Sequence, residues 1–389
     1  MSEDTWWKDP AELNDEQKAL IDIDDDGNYI VVGPPGSGKT NVLLLRASYL
    51  VSIGRPNITV LIFTRSLRDF ITRGSGNYNI DPRKIKTIMA WGLGLLREHD
   101  GPIDDLPKGF EAQRSELAKR LKTVLDMRPA LEHSVECILV DEIQDCLPEE
   151  IELFFRLAKN VFFVGDSRQR IYRVGNILSD LCARPDITTQ RLTHHYRTGH
   201  EICKVADIVG KTSGEEPIFP TCNYDESKQG KSKADFFPLA SFDEQAAKII
   251  MHLSLQLKTY PGELLGVACP LNEDVERLRT AIEASPIAQY LMGPDDLAQT
   301  DSERCIYVDT LHDFKGLEFR ALHLASMQNI HKLREQQKKL TFTGITRAKT
   351  TLHVYHIGNI PGYLEQARSV VKPVVTPPPI KSLFPGKKP

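Results

Sequence analysis

Residues 33–40 read Gly33-Pro34-Pro35-Gly36-Ser37-Gly38-Lys39-Thr40, a stretch that fits the pattern G-x-x-x-x-G-K-[ST]. It follows a β-branched run at 29–32, a predicted strand, and precedes a helical pattern at 41–51. In such a loop, backbone N–H groups surround phosphate oxygens, the lysine supplies a positive charge and the hydroxyl can bind Mg²⁺. A chance glycine-rich turn is the alternative, and the complete pattern in its expected context argues against it. We therefore expect a nucleotide-phosphate site here, with Lys39 as a catalytic cation and Thr40 as a metal ligand.

Two adjacent carboxylates follow a second predicted strand, where the apolar run 137–140 leads into Asp141-Glu142-Ile143-Gln144-Asp145. Open α/β sheets bind ligands at the carboxyl ends of their strands. One carboxylate can hold Mg²⁺ while its neighbour orients or deprotonates a water molecule, as phosphoryl transfer requires. A solvated acidic turn is the simpler alternative.

Strands and helices alternate along the chain in two series, which predicts an α/β fold with parallel sheets covered on both faces. A polar break at 213–217 separates the two series, so we expect a first domain at 1–212 and a second at 213–371. The predicted strands are 29–32, 58–63, 137–140, 161–164, 264–268, 305–308, 321–324 and 352–355. The predicted helices are 41–51, 110–127, 149–159, 244–257 and 275–284. The proline-rich, basic segment 372–389 is expected to form a flexible tail.

The composition is that of a globular protein, with 41% hydrophobic and 26% charged residues among 389. No apolar run is long enough for a transmembrane helix, and the acidic N-terminus does not resemble a signal peptide, so we expect a cytoplasmic protein without a membrane partner. Seven scattered cysteines lack a C-x-x-C pair, which predicts reduced thiols. The net charge is −4, yet the charged residues of 65–86 are mostly basic, which predicts a local basic strip.

The ordered motifs from Leu13 to about Tyr355 resemble those of superfamily 1 helicases of the UvrD/Rep/PcrA type. The resemblance implies two RecA-like P-loop NTPase domains with an ATP cleft between them, and ATP and Mg²⁺ as cofactors. An arginine from the second domain would then stabilise the charge that develops on the transferred phosphoryl group.

The resemblance also implies roles around the nucleotide. Gln17 would read the adenine edge, Tyr196 would stack on adenine, and Glu318 would contact the ribose. Asp141 would bind Mg²⁺, with Glu142 as the catalytic base and Gln144 as a γ-phosphate sensor. The remaining catalytic positions would be Gln169, which couples phosphate to DNA, and two arginines directed at the phosphates, Arg197 and Arg347.

On the DNA side, the matching motifs imply contacts between single-stranded DNA and a set of seven residues. These residues are Phe63, Thr64, Arg65, Thr87, Trp91, Tyr172 and His312. A tryptophan on a helix is more often part of a core, and for Trp91 both placements stay open.

The chain departs from the family pattern in several DNA-contacting places. It has Arg173-Val174-Gly175 where a base-stacking tryptophan is usual, and Thr87-Ile88-Met89 in place of T-F-H. The intervals from Thr87 to Asp141 and from Arg197 to Thr310 are short for a family that places accessory subdomains there.

We expect an ATP-dependent translocase or helicase on single-stranded DNA, acting 3′ to 5′ by resemblance, with RNA open as an alternative strand. The second hypothesis is a nucleic-acid-sensing ATPase subunit that regulates a partner such as a nuclease in repair or phage defence, without processive unwinding. A purely nucleotide-binding protein is disfavoured because it would not need two arginines at the phosphates.

The run Ile380-Lys381-Ser382-Leu383-Phe384 resembles a sliding-clamp-binding peptide, so the tail could bind a protein partner or fold back on the chain.

Overall fold

A computed structural model describes residues 10–101, 103, 105–166, 177–211, 216–293, 296–298 and 303–371. Four features predicted from the sequence lie wholly or partly outside these ranges. They are Gln169, Tyr172, the first three residues of the expected break at 213–217, and the expected tail. No helix within them is both long and apolar enough to cross a bilayer.

The first of two parallel sheets has six strands in the order β3-β2-β4-β5-β1-β6. The strands are β1 (Tyr29–Val32), β2 (Ile58–Ile62), β3 (Ile85–Thr87), β4 (Val135–Val140), β5 (Ala158–Gly165) and β6 (Thr188–Arg191). Because the strands are parallel, the loops after β1, β4 and β5 lie side by side at one edge. The phosphate loop and the carboxylate pair are therefore neighbours.

The second sheet has five strands, again all parallel, in the order β7-β11-β10-β8-β9. The strands are β7 (Lys233–Leu239), β8 (Leu265–Cys269), β9 (Ile306–Thr310), β10 (Phe319–Leu324) and β11 (Ala348–Ile357). The predicted α/β class with two parallel sheets is confirmed, and both sheets have the arrangement of RecA-like P-loop domains.

Helices cover the faces of both sheets. They are α1 (Asp15–Ile21), α2 (Lys39–Ser52), α3 (Arg65–Gly74), α4 (Ile88–His99), α5 (Phe110–Met127), α6 (Pro148–Leu157), α7 (Ile177–Cys182), α8 (His200–Lys211), α9 (Glu226–Gln229), α10 (Phe242–Thr259), α11 (Asn272–Glu283), α12 (Gln337–Ile345) and α13 (Gly362–Val371). Helix α8 packs against α12, α13 and β7, so it covers the second sheet although the predicted boundary at residue 212 assigns it to the first domain.

Three strands of the structure were not predicted from the sequence, each for a physical reason. Strand β3 has only three residues, and β6 is the polar edge sequence Thr-Thr-Gln-Arg. Strand β7 is also at an edge, and it contains Pro238, which argues against a central strand. The helix predicted at 149–159 ends at Leu157, since the chain enters β5 at the next residue.

Candidate nucleotide site between the two sheets

The loop between β1 and α2 depends on two glycines with positive φ. Gly36 has φ 77° and Gly38 has φ 83°, values that favour glycine. A Cβ atom at Gly36 would lie 2.6 Å from Cβ of Arg197, and one at Gly38 would lie 2.6 Å from Nε2 of Gln17. The loop therefore follows a path that brings its backbone against two other predicted site residues.

The ammonium group of Lys39 is held by the loop it follows. Its Nζ donates hydrogen bonds of 2.8 Å to the carbonyl oxygens of Gly33 and Pro34, and Ser37 N–H donates to Pro34 O over 3.2 Å. Lys39 also lines the cleft that reaches Arg347 of the second sheet. The positive charge is thus placed at the loop before any phosphate arrives.

Thr40 and Asp141 form the part of the site suited to Mg²⁺. The Thr40 hydroxyl donates a hydrogen bond of 2.9 Å to Oδ2 of Asp141, directly after β4. Burial and the charge of Glu142 raise the pKa of Asp141 to about 6. A hydroxyl oxygen and a carboxylate oxygen are the hard donors that Mg²⁺ prefers, so this pair fits the ion that the motifs imply.

Glu142 occupies a left-handed backbone conformation, with φ 53°, that directs the chain from β4 into the short turn Ile143–Asp145. Its carboxylate accepts a hydrogen bond from the side-chain amide of Gln144, whose oxygen accepts from Asp166 N–H over 3.1 Å. Gln144 thereby connects Glu142 to the end of β5. Burial alone would raise the pKa of Glu142, but Lys315, Arg347 and Lys39 outweigh it, and the pKa is lowered. The carboxyl is therefore kept ionised, as a base must be.

Lys315 is a member of the site that the sequence analysis did not single out. Although it comes from the loop before β10, its Nζ forms an ion pair with Asp145 and lies 3.7 Å from Oε2 of Glu142. Burial lowers the pKa of Lys315 to about 8, against the opposing effect of Glu142. Lys315 lies three residues before Glu318 in the sequence, and this proximity to a predicted site residue was the available signal.

Charged residues from the two sheets meet at the other wall of the cleft. Arg197 donates to Oε1 of Glu318, and Nζ of Lys349 lies 3.5 Å from Oε2 of the same residue. Arg347 is buried, and its Nε donates to Thr343 O over 3.2 Å. Burial and the neighbouring Arg197 lower the pKa of Arg347 to about 10. The two predicted arginines and Glu318 therefore do share one region.

Gln17 and Tyr196 lie beside the phosphate loop, as their predicted adenine contacts require. Nε2 of Gln17 donates to Ser37 O over 2.9 Å, and its Oε1 accepts from Asn14 N–H over 3.1 Å. Tyr196 N–H donates to Gly36 O over 3.0 Å, and its hydroxyl accepts from the Asn14 side chain. Helix α1, which Asn14 caps, thus links both side chains to the loop.

The described residues predicted to contact DNA are not gathered into one exposed stack. Trp91 is 5% exposed and packs on Phe154, with ring centroids 5.5 Å apart, so the indole belongs to the core and is not a base-stacking platform. Phe63 is also buried, and the guanidinium of Arg114 lies 4.9 Å from its ring. Both aromatic side chains are buried in the first domain, and this packing makes their rings inaccessible for the predicted contacts with single-stranded DNA.

The polar members of that set are more accessible. Arg65 is exposed, and Thr64 accepts a hydrogen bond from Leu67 N–H, which caps α3. Thr87 caps α4 by accepting from Ala90 N–H over 3.1 Å, and His312 is half-buried in the turn after β9. Two of these side chains therefore have structural roles at helix starts.

Comparisons with known proteins agree with this architecture. Residues 16–175 match the AAA domain family, and residues 305–355 match the UvrD-like helicase C-terminal domain. The "Putative ATP-dependent DNA helicase YjcD" of Bacillus subtilis (strain 168) is 25% identical over 289 residues, covering 51% of this chain and 38% of that protein. The "Probable DNA helicase" of Mycoplasma pneumoniae is 25% identical over 325 residues, covering 77% of this chain and 57% of that protein. The chain thus spans less than two thirds of both relatives. The motifs, the two parallel sheets and these matches together support a UvrD-like helicase.

Proposed function

We propose that the protein hydrolyses ATP in response to single-stranded DNA and uses the reaction to move along the strand, in the 3′ to 5′ direction by family resemblance. The observation that carries this proposal is the composition of the cleft. Lys39 begins α2, and Asp141 and Glu142 follow β4 of the first sheet. Glu318 and Arg347 directly precede β10 and β11 of the second sheet. A nucleotide bound there would contact both sheets, so its hydrolysis would change their separation.

The chain's own residues suit the steps of phosphoryl transfer. Bound Mg²⁺ would neutralise charge on the phosphate oxygens. Glu142, held ionised and oriented by Gln144, can accept a proton from water. Arg347 and Lys39 supply fixed positive charge where negative charge develops. We propose Thr40 and Asp141 as the Mg²⁺ ligands, Gln17 and Tyr196 as the adenine contacts, Glu318 as the ribose contact, and Gln144 and Arg197 as γ-phosphate contacts.

Two measurements on one preparation test the proposal. The first is ATP turnover with and without single-stranded DNA, and RNA of equal length serves as the comparison strand. The second is ATP-dependent displacement of a streptavidin block from either end of the DNA, which detects translocation and its direction. Stimulation of turnover by DNA together with faster displacement from one end supports a motor. Turnover that is indifferent to nucleic acid would contradict it.

The burial of Trp91 and Phe63 favours a second candidate, an ATPase that senses nucleic acid and regulates a partner protein. Where an aromatic side chain is buried and cannot stack on a base, a protein binds individual bases less firmly, which weakens stepwise movement more than it weakens binding. In that case DNA would stimulate turnover, but neither block would be displaced.

A further inference from the structure

Three histidines of the second sheet converge on one hydroxyl group. His323 on β10 and His353 on β11 are register partners, and His252 lies on α10, which packs against β11. From the Oη atom of Tyr355, the Nδ1 atoms of His252, His323 and His353 lie 2.6, 2.8 and 3.2 Å away. Four nitrogen and oxygen donors therefore surround one small volume.

The outer nitrogens of two of these rings face oxygen acceptors. Nε2 of His323 lies 2.7 Å from Oε1 of Gln256, and Nε2 of His353 lies 3.8 Å from the carboxylate of Asp235. An amide oxygen only accepts hydrogen bonds, so the contact with Gln256 favours a proton on Nε2 of His323. The Asp235 carboxylate is too far from His353 for a hydrogen bond, but its negative charge favours the proton on the nitrogen that faces it. The inner Nδ1 atoms then present lone pairs to the Tyr355 oxygen. Outer N–H groups held by acceptors are typical of histidines that bind metals.

A single hydroxyl group cannot donate a hydrogen bond to more than one of the inner Nδ1 atoms. The Tyr355 hydroxyl has one proton and can donate to the inner nitrogen of either His323 or His353, so the inner lone pair of the other ring would face the lone pairs of the oxygen. A cation at the centre would satisfy every inner lone pair at once.

We propose that His252, His323 and His353 bind one divalent transition-metal ion through their Nδ1 atoms, with the Tyr355 oxygen as the fourth ligand. Imidazole nitrogen suits Zn²⁺, which prefers four ligands in a tetrahedron. The ion would tie α10 to the two central strands β10 and β11. His323 lies five residues along the chain from Glu318, roughly 16 Å at 3.3 Å per residue, so this metal is separate from the Mg²⁺ of the nucleotide cleft.

The test uses the full chain stripped of metal and titrated with Zn²⁺ against a chromophoric chelator. His195, Cys203 and Cys222 form a second group of zinc-compatible donors, so the titration is made in a Cys203→Ser, Cys222→Ser background. In that background we expect one Zn²⁺ per chain, bound at least about tenfold more weakly after His252→Gln or His353→Gln. The control is His356→Gln, which alters a buried histidine on the other face of β11 whose Nδ1 bonds to Gly358 O, and it should leave the affinity unchanged.

Two further measurements distinguish a variant that has lost a metal-binding side chain from one that has failed to fold. Added Zn²⁺ should raise the Tm of the background protein but not that of His252→Gln, whose half-buried side chain is the least disruptive of the three to replace. Bound Co²⁺ should give the strong visible absorption of a tetrahedral ion in the background protein and lose it in His353→Gln. Equal Zn²⁺ affinity in all variants, or less than one Zn²⁺ per background chain, would overturn the proposal.

Discussion

Lys315 of the second sheet forms an ion pair with Asp145 of the first, and both side chains are almost completely buried. The same ammonium group lies 3.7 Å from Glu142, the proposed base. Because Lys315 helps to lower the pKa of Glu142, any movement of the second sheet that withdraws the lysine changes the charge environment of the base. The contact between the sheets and the chemistry of the cleft are therefore linked through one residue.

The first prediction concerns the stability of this contact. Lys315→Ala leaves the Asp145 carboxylate buried without its cation, and we expect the free energy of unfolding to fall by about 3–5 kcal/mol, measured by urea denaturation. Lys122→Ala is the control, because Lys122 pairs with Glu152 on the surface and its loss should cost at most about 1 kcal/mol. Similar losses in the two variants would show that the buried pair has no special role.

The second prediction concerns the chemical step. Glu142→Gln removes the proposed base while keeping its size, so we expect ATP turnover to fall by about 10²–10⁴-fold while a fluorescent ATP analogue still binds. Lys39→Ala removes the cation of the phosphate loop and should weaken both turnover and binding. Both variants should keep the wild-type circular dichroism spectrum, and wild-type turnover in either would contradict the assignment.

The third prediction concerns Arg347 and asks whether it acts on catalysis or on ATP binding. Arg347→Ala should lower kcat by about 10³-fold or more, because positive charge near the transferred phosphoryl group matters most in the transition state. ATP affinity should change far less than kcat. A rise in KM with unchanged kcat would mean that Arg347 binds the ground state and the transition state equally well and does not stabilise the transition state selectively.

The sequence was sufficient for the parts of the site that depend on local pattern. The loop ending in Lys39-Thr40 and the pair Asp141-Glu142 both adjoin predicted strands, and parallel strands necessarily bring their following loops to one edge. The ion pair across the cleft could not be predicted from the sequence, because Lys315 and Asp145 are 170 positions apart and no periodicity links them. The burial of Trp91 depends on Phe154, a residue of another helix, so pattern alone could not choose between core and DNA contact.

The fourth prediction concerns the basic segment 65–86, for which charge reversal at Arg68, Arg73 and Arg83 is expected to weaken DNA binding. The structure shows that Arg68 pairs with Asp69 at 2.6 Å and Arg83 with Asp81 at 2.7 Å, which reduces their net attraction for phosphate. We therefore expect the largest loss of affinity from Arg65→Glu, at the exposed start of α3.

The check on this fourth prediction is the salt dependence of binding to single-stranded DNA. Loss of one phosphate contact should reduce the slope of log K against log salt by about 0.7. Lys122→Glu, a charge reversal on α5 at the exposed pair with Glu152 of α6, is the matched control and should leave the slope unchanged. A slope that is the same in Arg65→Glu and wild type would assign this segment to an ordinary solvated surface.

The fifth prediction concerns a thiol beside the arginine motif. Sγ of Cys222 and Sγ of Cys203 each lie 3.3 Å from Thr198 O, one residue after Arg197. A hydrogen bond from Cys203 lowers the pKa of Cys222 to about 7, although burial opposes the shift. A lowered pKa means more thiolate at neutral pH, so the rate of Cys222 alkylation by iodoacetamide should rise with pH to a plateau, with its midpoint near pH 7.

Peptide mass spectrometry in the presence of a chelator measures this rate, and Cys203→Ala tests its cause. Without the Cys203 thiol the midpoint should move up towards the ordinary value for cysteine, about 8.5. Because both sulfur atoms lie against the carbonyl oxygen of Thr198, a bulky group on Cys222 should displace the backbone beside Arg197 and slow ATP turnover. An ordinary midpoint in the wild type, unchanged by Cys203→Ala, would show that the two thiols do not share a proton.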